Sequence, residues 1–294
     1  MKHLLAIPDF SEAEARDVFA RAAAFKARRN VSPRPLEGQT WAMIFSKSST
    51  RTRVSFEVGL HELGAKALFL NAGDIQLGRG EPIKDTARVL GRMVHGAVIR
   101  TFAQQDVEDF AAYGQIPTIN ALTDAEHPCQ ILTDIFTFEE KRGPIRGRRV
   151  AFIGDADCNV CRSWVEAAPI FGFQLVCAAP EGYQTRFQNS HVELTADPAS
   201  AVRGADLVYT DVWVSMGKEE EAAARLRAFQ GYQINEALLS GASSAALVLH
   251  CLPAYRGKEI SEALFEARAA DIFDQAENRM HVQKGILAFL QDRS

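Results

Sequence analysis

The sequence predicts an α/β protein with two domains, each built around a parallel β-sheet. Short apolar runs, typical of buried strands, alternate along the chain with amphipathic stretches of helical period. This alternation occurs twice, because a basic, glycine-containing stretch at 142–149 separates two such series. A chain of 294 residues with 47% apolar side chains is long enough to fill two cores. Alternation of this kind favours parallel sheets covered by helices.

The first series of elements precedes residue 142. Its expected strands are 41–45, 67–70, 97–99 and 117–120, and its expected helices are 10–29, a helix opening near 50, a helix from 83 and 106–113. Ser11 followed by Glu14 predicts a capping box at the start of the first helix. Between Asn71 and Pro82 the periodicity stops and three glycines occur, which predicts a long functional loop.

The second series follows residue 149. Its expected strands are 150–153, 175–178, 206–210 and 247–250, with a helix at 160–171. A helix at about 131–141 is expected to carry the domain junction, and a last helix at about 275–291 is expected to pack back across it. The predicted domains are residues 1–135, joined by the helix 275–294, and residues 136–274.

Composition disfavours several classes of function. The formal net charge is -4 and the pI is about 6.0, and no basic stripe interleaved with aromatic residues is present. Neither nucleic acid nor a membrane surface is therefore an expected partner. No apolar run reaches the roughly 20 residues of a membrane span, and the first residues lack the order of a signal peptide. Five cysteines, an odd number, favour free thiols in a reducing compartment, so we expect a cytoplasmic protein.

A hydroxyl-rich turn at 48–53 is the strongest functional signal. It follows an expected strand and opens a helix, so backbone N–H groups and the positive end of the helix dipole point out of the helix end. Ser49, Thr50 and Thr52 add hydroxyl donors, and Arg51 adds a planar guanidinium. Capping the helix requires only one hydroxyl group, so capping does not explain three hydroxyl groups interleaved with guanidinium groups. The turn therefore predicts phosphate binding.

Further polar groups follow other expected strands, where open parallel sheets bind their ligands. In chain order they are Arg100, His127 with Cys129 and Gln130, Asp211 with Ser215, and His250 with Cys251. Two other signals weigh less. Cys158 and Cys161 have the spacing of a redox or metal half-site, but no second pair is present to complete a zinc site. The turn after Ile153 lacks the Gly-x-Gly-x-x-Gly pattern of dinucleotide-binding proteins.

In order and combination, these motifs resemble the aspartate/ornithine carbamoyltransferase family over residues 49–279. The resemblance implies two Rossmann-like parallel-sheet domains with the active site in the cleft between them. It implies transfer of the carbamoyl group from carbamoyl phosphate to the side-chain amine of L-ornithine, giving L-citrulline and phosphate, in arginine biosynthesis. It also implies a homotrimer with active sites shared between subunits. No metal or organic cofactor is implied.

The resemblance assigns roles residue by residue. Carbamoyl phosphate would be bound by Ser49, Thr50, Arg51, Thr52, Gln76, Arg100, His127, Gln130 and Arg279, with Gln76 reaching into a neighbouring subunit's site. Ornithine would be bound by Asn159, Asp211, Ser215, Met216, Cys251 and Leu252. The catalytic residues would be Arg51, Thr52 and His127, which donate to the carbonyl oxygen as it gains negative charge, and Cys251, which lies beside the attacking amine.

Three alternatives stay open at this level. A carbamoyltransferase acting on another amine, such as putrescine or an acylated ornithine, is the nearest, although Asp211 with Ser215 favours a free α-amino acid. A nucleotide-dependent oxidoreductase is disfavoured by the missing glycine fingerprint. A binding protein without activity would tolerate loss of the donor residues, yet all of them are present.

Overall fold

The structure is a computed structural model that describes residues 1–31, 33–215 and 219–293. The chain forms two compact units. The first unit comprises Met1–Phe136 and Glu277–Ser294, and the second unit comprises Thr137–Ala276. Each unit contains one sheet whose strands are all parallel, so the predicted α/β class is confirmed.

The first unit is built on a four-stranded sheet. Its strands are β1 (Thr40–Phe45), β2 (Lys66–Asn71), β3 (Gly96–Arg100) and β4 (Thr118–Leu122), and its helices are α1 (Glu12–Ala27), α2 (Thr50–Glu62), α3 (Ile83–Leu90), α4 (Gln104–Gly114) and α5 (Pro128–Arg142). The strand order is β2-β1-β3-β4. All four predicted strands are present, and α5 passes from the first unit into the second.

Local chemistry explains where these elements begin. The Oγ atom of Ser11 accepts a hydrogen bond from the backbone N–H of Glu14, and the carboxylate of Glu14 accepts one from the backbone N–H of Ser11, so the predicted capping box is confirmed.

The loop between Asn71 and Pro82 contains two 3₁₀ turns, Ala72–Asp74 and Gln76–Arg79.

The second unit is built on a five-stranded sheet. Its strands are β5 (Arg149–Ile153), β6 (Gln174–Ala178), β7 (Val192–Thr195), β8 (Leu207–Thr210) and β9 (Leu247–His250), and its helices are α6 (Asn159–Phe171), α7 (Pro198–Val202), α8 (Ala222–Ala228), α9 (Glu236–Leu239) and α10 (Glu262–Gln291). The strand order is β7-β6-β5-β8-β9. The short helices α7, α8 and α9 were not predicted from the sequence.

Two elements differ from the sequence-based expectation. Strand β7 was not predicted, because it is an edge strand whose side chains are mostly half-buried and which therefore lacks an apolar run. The last helix begins at Glu262 rather than near 275. Its start is set by Ser261, whose Oγ atom accepts a hydrogen bond from the backbone N–H of Leu264. Helix α10 thus runs from the second unit into the first.

Side-chain alternation along the strands fills a core on each face of the sheets. In the first unit, Ala42 and Ile44 of β1 belong to a buried cluster with Ala87 of α3 and Phe110 of α4. In the second unit, Phe152 of β5 stacks on Tyr209 of β8, and the ring of Trp164 in α6 packs edge-on against Tyr209. The opposite face of this sheet is covered by the cluster that contains Ala151, Val248 and Leu264.

Because the strands are parallel, all their carboxyl ends lie at one edge of each sheet. The turns that carry the predicted site residues leave from these edges. In the part of the chain that the structure describes, no helix has both the length and the apolarity needed to cross a bilayer.

Candidate active site

The predicted phosphate turn opens helix α2. Ser49 is the N-cap residue, and its Oγ atom accepts a hydrogen bond from the backbone N–H of Thr52 at 3.2 Å. Thr52 is buried, Arg51 is half-buried and Thr50 is exposed. The turn therefore has the predicted geometry of a helix start, with one hydroxyl buried and the others facing outward or half-covered.

Thr52 contacts the predicted arginine near the end of the chain. The Nη2 atom of Arg279 in α10 donates a hydrogen bond to Oγ1 of Thr52 at 2.9 Å. Arg279 is only 3% exposed, so its guanidinium is held against the start of α2 rather than in solvent. The fold thus brings together two predicted site residues that are 227 positions apart.

Arg100 and His127 are two further predicted site residues that are buried in the first unit. Arg100 is the last residue of β3, and its partner in the adjacent strand is Phe45, the residue from which the phosphate turn departs. Burial, and then the positive charges of Arg279 and Arg100, lower the pKa of His127 well below its ordinary value. At neutral pH its imidazole is therefore uncharged.

The two predicted glutamines have different surroundings. Gln130 is fully buried in α5, and its Nε2 atom donates a hydrogen bond to Oδ1 of Asp134 at 2.9 Å. Gln76 is exposed at the start of a 3₁₀ turn in the long loop. Gln76 is therefore not among the buried residues of the predicted phosphate site.

Lys47 is a residue of this region that sequence reasoning missed. Its ammonium group forms an ion pair with Asp124, and its Nζ atom lies 4.4 Å from the ring centroid of Phe102. The pair ties the turn after β1 to the turn that leads to His127. The available signal was a lysine two positions before Ser49, in the same turn.

In the second unit, Asp211 and Cys251 are adjacent because of strand register. They directly follow Thr210 and His250, which are partners in β8 and β9. The Sγ atom of Cys251 donates a hydrogen bond to Oδ1 of Asp211 at 2.8 Å, and the backbone N–H of Val212 donates to the same oxygen at 2.7 Å. Burial raises the pKa of Asp211, although the thiol of Cys251 and this N–H group act in the opposite direction.

A buried histidine and glutamate support the turn that carries Cys251. The Nδ1 atom of His250 accepts a hydrogen bond from the backbone N–H of Leu252 at 2.8 Å, so Nε2 carries the proton and donates to Oε1 of Glu259 at 3.2 Å. The same oxygen accepts from the backbone N–H of Tyr255. Glu259 was missed because it lies in a polar, exposed-looking stretch, 256–259.

The remaining predicted ornithine residues lie on the same edge of the second sheet. Asn159 is half-buried at the first position of α6, and Ser215 is half-buried after β8. Leu252 adopts a positive φ of 59° and precedes a cis proline, which turns the chain directly after Cys251. Met216 lies outside the described residues.

The sulfur atoms of Cys158 and Cys161 have different partners. The Sγ atom of Cys161 lies 3.6 Å from that of Cys177, while the Sγ atom of Cys158 accepts a hydrogen bond from the backbone N–H of Cys161 and caps α6. Burial, and then the neighbouring Cys177, raise the pKa of Cys161 well above its ordinary value. Its thiolate is therefore disfavoured.

Among the described residues, one group of side chains has the spacing of a metal site. Possible ligand atoms of Asp211, His250 and Cys251 lie within 4.8 Å of one another. Both ring nitrogens of His250 are already hydrogen bonded, one to Leu252 and one to Glu259. Metal binding through this histidine would have to break one of these contacts.

These features define a class of protein: an enzyme of two parallel α/β units, with a predicted anion site at the edge of the first sheet and a carboxylate-thiol pair at the edge of the second. Comparison with protein-family models supports this class for both units. Residues 2–140 match the carbamoyl-P binding domain of aspartate/ornithine carbamoyltransferase, and residues 146–290 match the Asp/Orn binding domain. The chain belongs to the aspartate/ornithine carbamoyltransferase family.

Relatives and solved structures cover the chain almost completely. The chain is 54% identical to the ornithine carbamoyltransferase of Akkermansia muciniphila, with 99% of each chain covered, and 49% identical to the anabolic enzyme of Pseudomonas aeruginosa, with 99% and 97% covered. The crystal structure of the anabolic enzyme of Campylobacter jejuni superposes with a TM-score of 0.93 at 41% identity over the whole of both chains. The enzyme of Pyrococcus furiosus gives 0.92 at 44% identity, with 98% and 96% covered.

Proposed function

We propose that this carbamoyltransferase transfers the carbamoyl group of carbamoyl phosphate to the side-chain amine of L-ornithine, giving L-citrulline and phosphate in arginine biosynthesis. The observation that carries this proposal is the contact between Asp211 and Cys251 at the ends of β8 and β9. Cys251 belongs to the sequence motif His250-Cys-Leu-Pro253. Relatives that are 49–54% identical over the full chain are ornithine carbamoyltransferases.

Residues 1–135, with the segment 275–294, form the carbamoyl phosphate half of the site. The N–H groups at the start of α2, Ser49, Thr50, Arg51 and Arg100 hold the phosphate, since a helix start and guanidinium groups both favour anions. Arg279, held by Thr52, adds a further positive charge. Gln130 already donates to Asp134 through Nε2, which leaves its Oε1 atom as an acceptor for the carbamoyl NH₂ group.

Three groups stabilise the charge that develops during the reaction. As the amine attacks, the carbonyl oxygen gains negative charge, and Arg51, Thr52 and His127 donate to it. A neutral imidazole still has one N–H donor, so the lowered pKa of His127 is compatible with this role. One such donor is typically worth about 10²–10³ in rate.

Residues 136–274 form the ornithine half. Asp211 pairs with the α-ammonium group, Asn159 and Ser215 fix the amino acid, and Cys251 with Leu252 flanks the distal amine. The sequence also assigns Met216 to this group. The positive charge of the α-ammonium favours the ionised form of Asp211, which offsets the effect of burial on its pKa.

The chemistry requires no protein nucleophile. The lone pair of the neutral distal amine attacks the carbamoyl carbon, and the bond between that carbon and the bridging oxygen breaks. Phosphate leaves with the bonding electrons, and one of its oxygens takes up the proton that the amine loses. The protein supplies orientation and electrostatic stabilisation.

Three subunits share their active sites. The exposed position of Gln76 on a long loop supports this arrangement, because an exposed polar loop can complete a neighbouring subunit's site. The enzyme works in the cytoplasm as a homotrimer.

One assay tests the reaction. Purified enzyme with carbamoyl phosphate is offered L-ornithine, L-aspartate, putrescine or N-acetylornithine, and citrulline or the corresponding carbamoyl product is measured. We expect product with ornithine alone. Faster turnover with putrescine or the acylated amine would reassign the substrate, and no product with any amine would contradict the proposed activity.

A further inference from the structure

Arg225 is a buried cation in α8 that the proposed reaction does not use. It is 4% exposed. Its Nη1 atom donates to Oδ2 of Asp155 at 2.6 Å and to the backbone carbonyl of Trp213 at 3.2 Å, and its Nε atom donates to Oε2 of Glu221 at 2.7 Å. The guanidinium carbon lies 5.0 Å from the ring centroid of Tyr183. Its donors thus reach three separate segments of the second unit.

The first partner, Asp155, lies in the turn that leads to Asn159. It follows β5 after a single glycine, and it is 2% exposed. Its Oδ1 atom accepts a hydrogen bond from the backbone N–H of Asp157 at 3.1 Å. Asp155 therefore shapes the turn between β5 and α6, and Asn159 is the first residue of that helix.

The second partner, Trp213, lies midway between Asp211 and Ser215. Its carbonyl is held by Arg225, and its ring stacks on Phe229 at the end of α8, with 5.6 Å between centroids and 14° between planes. Both the backbone and the side chain of Trp213 are thus fixed by the same helix.

Stability alone does not account for this arrangement. Withdrawing two charges from water is costly, and a well-packed apolar pair often stabilises a fold equally well. What a guanidinium adds is a set of N–H donors fixed in one plane, so that the two N–H groups of Nη1 can hold two acceptors in one geometry. Here those acceptors belong to the turns that follow two neighbouring strands, β5 and β8.

We infer that Arg225 is a positioning residue for ornithine, which sets the spacing between the turn that carries Asn159 and the turn that carries Asp211 and Ser215. It acts through Asp155 and the backbone of Trp213. The inference rests on the ornithine-binding role proposed for these three residues.

The second unit offers a matched control. Arg148 donates to Oδ1 of Asp206 at 3.3 Å, and these residues immediately precede β5 and β8. This pair joins the same two strands at their amino ends, away from the proposed site. If substitution acts through a general change in the sheet, it should weaken ornithine binding at both pairs. If it acts on the two turns of the proposed site, it should weaken ornithine binding only at Arg225.

The test compares Arg225→Lys with Arg148→Lys. Lysine keeps the charge but has no planar fork. A third variant, Asp155→Asn with Arg225→Gln, removes both buried charges together, so that no buried charge is left unpaired; the other carboxylate on Arg225, that of Glu221, is exposed. Binding of L-norvaline, which has the α-groups of ornithine but no distal amine to react, is measured calorimetrically with saturating carbamoyl phosphate. The KM values for both substrates, kcat and thermal unfolding are measured on the same proteins.

We expect Arg225→Lys and the double variant to raise the norvaline Kd and the ornithine KM about tenfold or more, because small displacements of positioning groups weaken a site strongly. The KM for carbamoyl phosphate should stay within about twofold, and Arg148→Lys should change neither affinity.

Unchanged norvaline affinity in Arg225→Lys and in the double variant, in an enzyme that forms citrulline, would overturn the inference alone. Arg148→Lys that weakens norvaline binding as much as Arg225→Lys does would also overturn the inference. So would failure of both Arg225 variants to fold while Arg148→Lys folds, because Arg225 would then be needed for stability. A wild-type enzyme that forms no citrulline would instead overturn the proposed function, and this inference with it.

Discussion

The Sγ atom of Cys251 donates a hydrogen bond to Oδ1 of Asp211 across 2.8 Å, although the two residues are 40 positions apart. The contact is a consequence of parallel register, since each residue directly follows one member of the pair Thr210 and His250. His250 and Glu259 then hold the turn on the far side of the thiol. A carboxylate and a thiol are thereby fixed as one unit.

We expect substitutions in this pair to weaken ornithine use and to spare carbamoyl phosphate, whose proposed residues lie in the first unit. Asp211→Asn removes the charge that faces the α-ammonium and should raise the ornithine KM more than Cys251→Ser, which keeps a hydrogen-bond donor. Titration of each substrate into each variant measures this difference. Loss of carbamoyl phosphate binding in Cys251→Ser would show that the division of the site is wrong.

The rate at subsaturating ornithine should rise between about pH 6 and 8. A lysine-like amine has a pKa of about 10.4, so only about one molecule in a thousand carries the reactive neutral amine near pH 7.4. The neutral fraction grows as pH rises, and the side chains of Leu252 and Pro253 beside Cys251 carry no charge that could pair with a second ammonium group. A kcat/KM profile for ornithine checks this expectation, and a flat profile over that range would contradict it.

Arg51→Ala should lower turnover by about 10²–10³, because this residue serves both the phosphate and the developing oxyanion. Arg53→Ala is the control. Arg53 is two positions away in the same helix, but its Nε atom bonds Glu57 and its guanidinium carbon lies 3.7 Å from the ring centroid of Phe69. Steady-state turnover rates of Arg51→Ala and Arg53→Ala measure this difference. Turnover of Arg51→Ala that resembles that of Arg53→Ala would remove Arg51 from the mechanism.

Mixing two inactive variants should restore activity if subunits share their sites. Gln76→Ala and Arg51→Ala proteins, unfolded and refolded together, would form hybrid trimers in which some interfaces combine an intact loop with an intact phosphate turn. Citrulline formation is measured on hybrids separated by a charged tag. If verified hybrids of two inactive parents recover nothing, each subunit has a self-contained site.

The lowered pKa of His127 predicts a specific loss of stability in acid. The folded protein binds a proton at this position less readily than the unfolded chain does, so stability should decrease as pH falls below the unfolded value of about 6.5. His127→Gln should lose less stability over this range than the wild type. His61→Gln, at an exposed position in α2, should behave like the wild type.

Urea unfolding midpoints at about pH 7.5 and 5.5 measure these differences. Identical acid losses in the wild type and in His127→Gln would mean that burial, Arg279 and Arg100 do not lower the pKa of His127 as the structure indicates.

The sequence by itself determined the α/β class, eight of the nine strands among the described residues, and the turns from which the site residues leave. Those features are encoded locally, in apolar runs, helical period and caps such as that of Ser11 and Glu14, and parallel strands necessarily place their carboxyl ends at one edge. Strand β7 and the first half of α10 were not predicted, because a half-buried edge strand and a polar helix face lack a run or period of apolar residues.

Only the tertiary structure decided which side chains support the site. Arg279 contacts Thr52, Glu259 holds His250, and Arg225 joins Asp155 to Trp213, over separations of 227, 9 and 70 positions for the side-chain pairs. No local pattern encodes such pairs, because a buried charge is tolerated only where the fold delivers its partner.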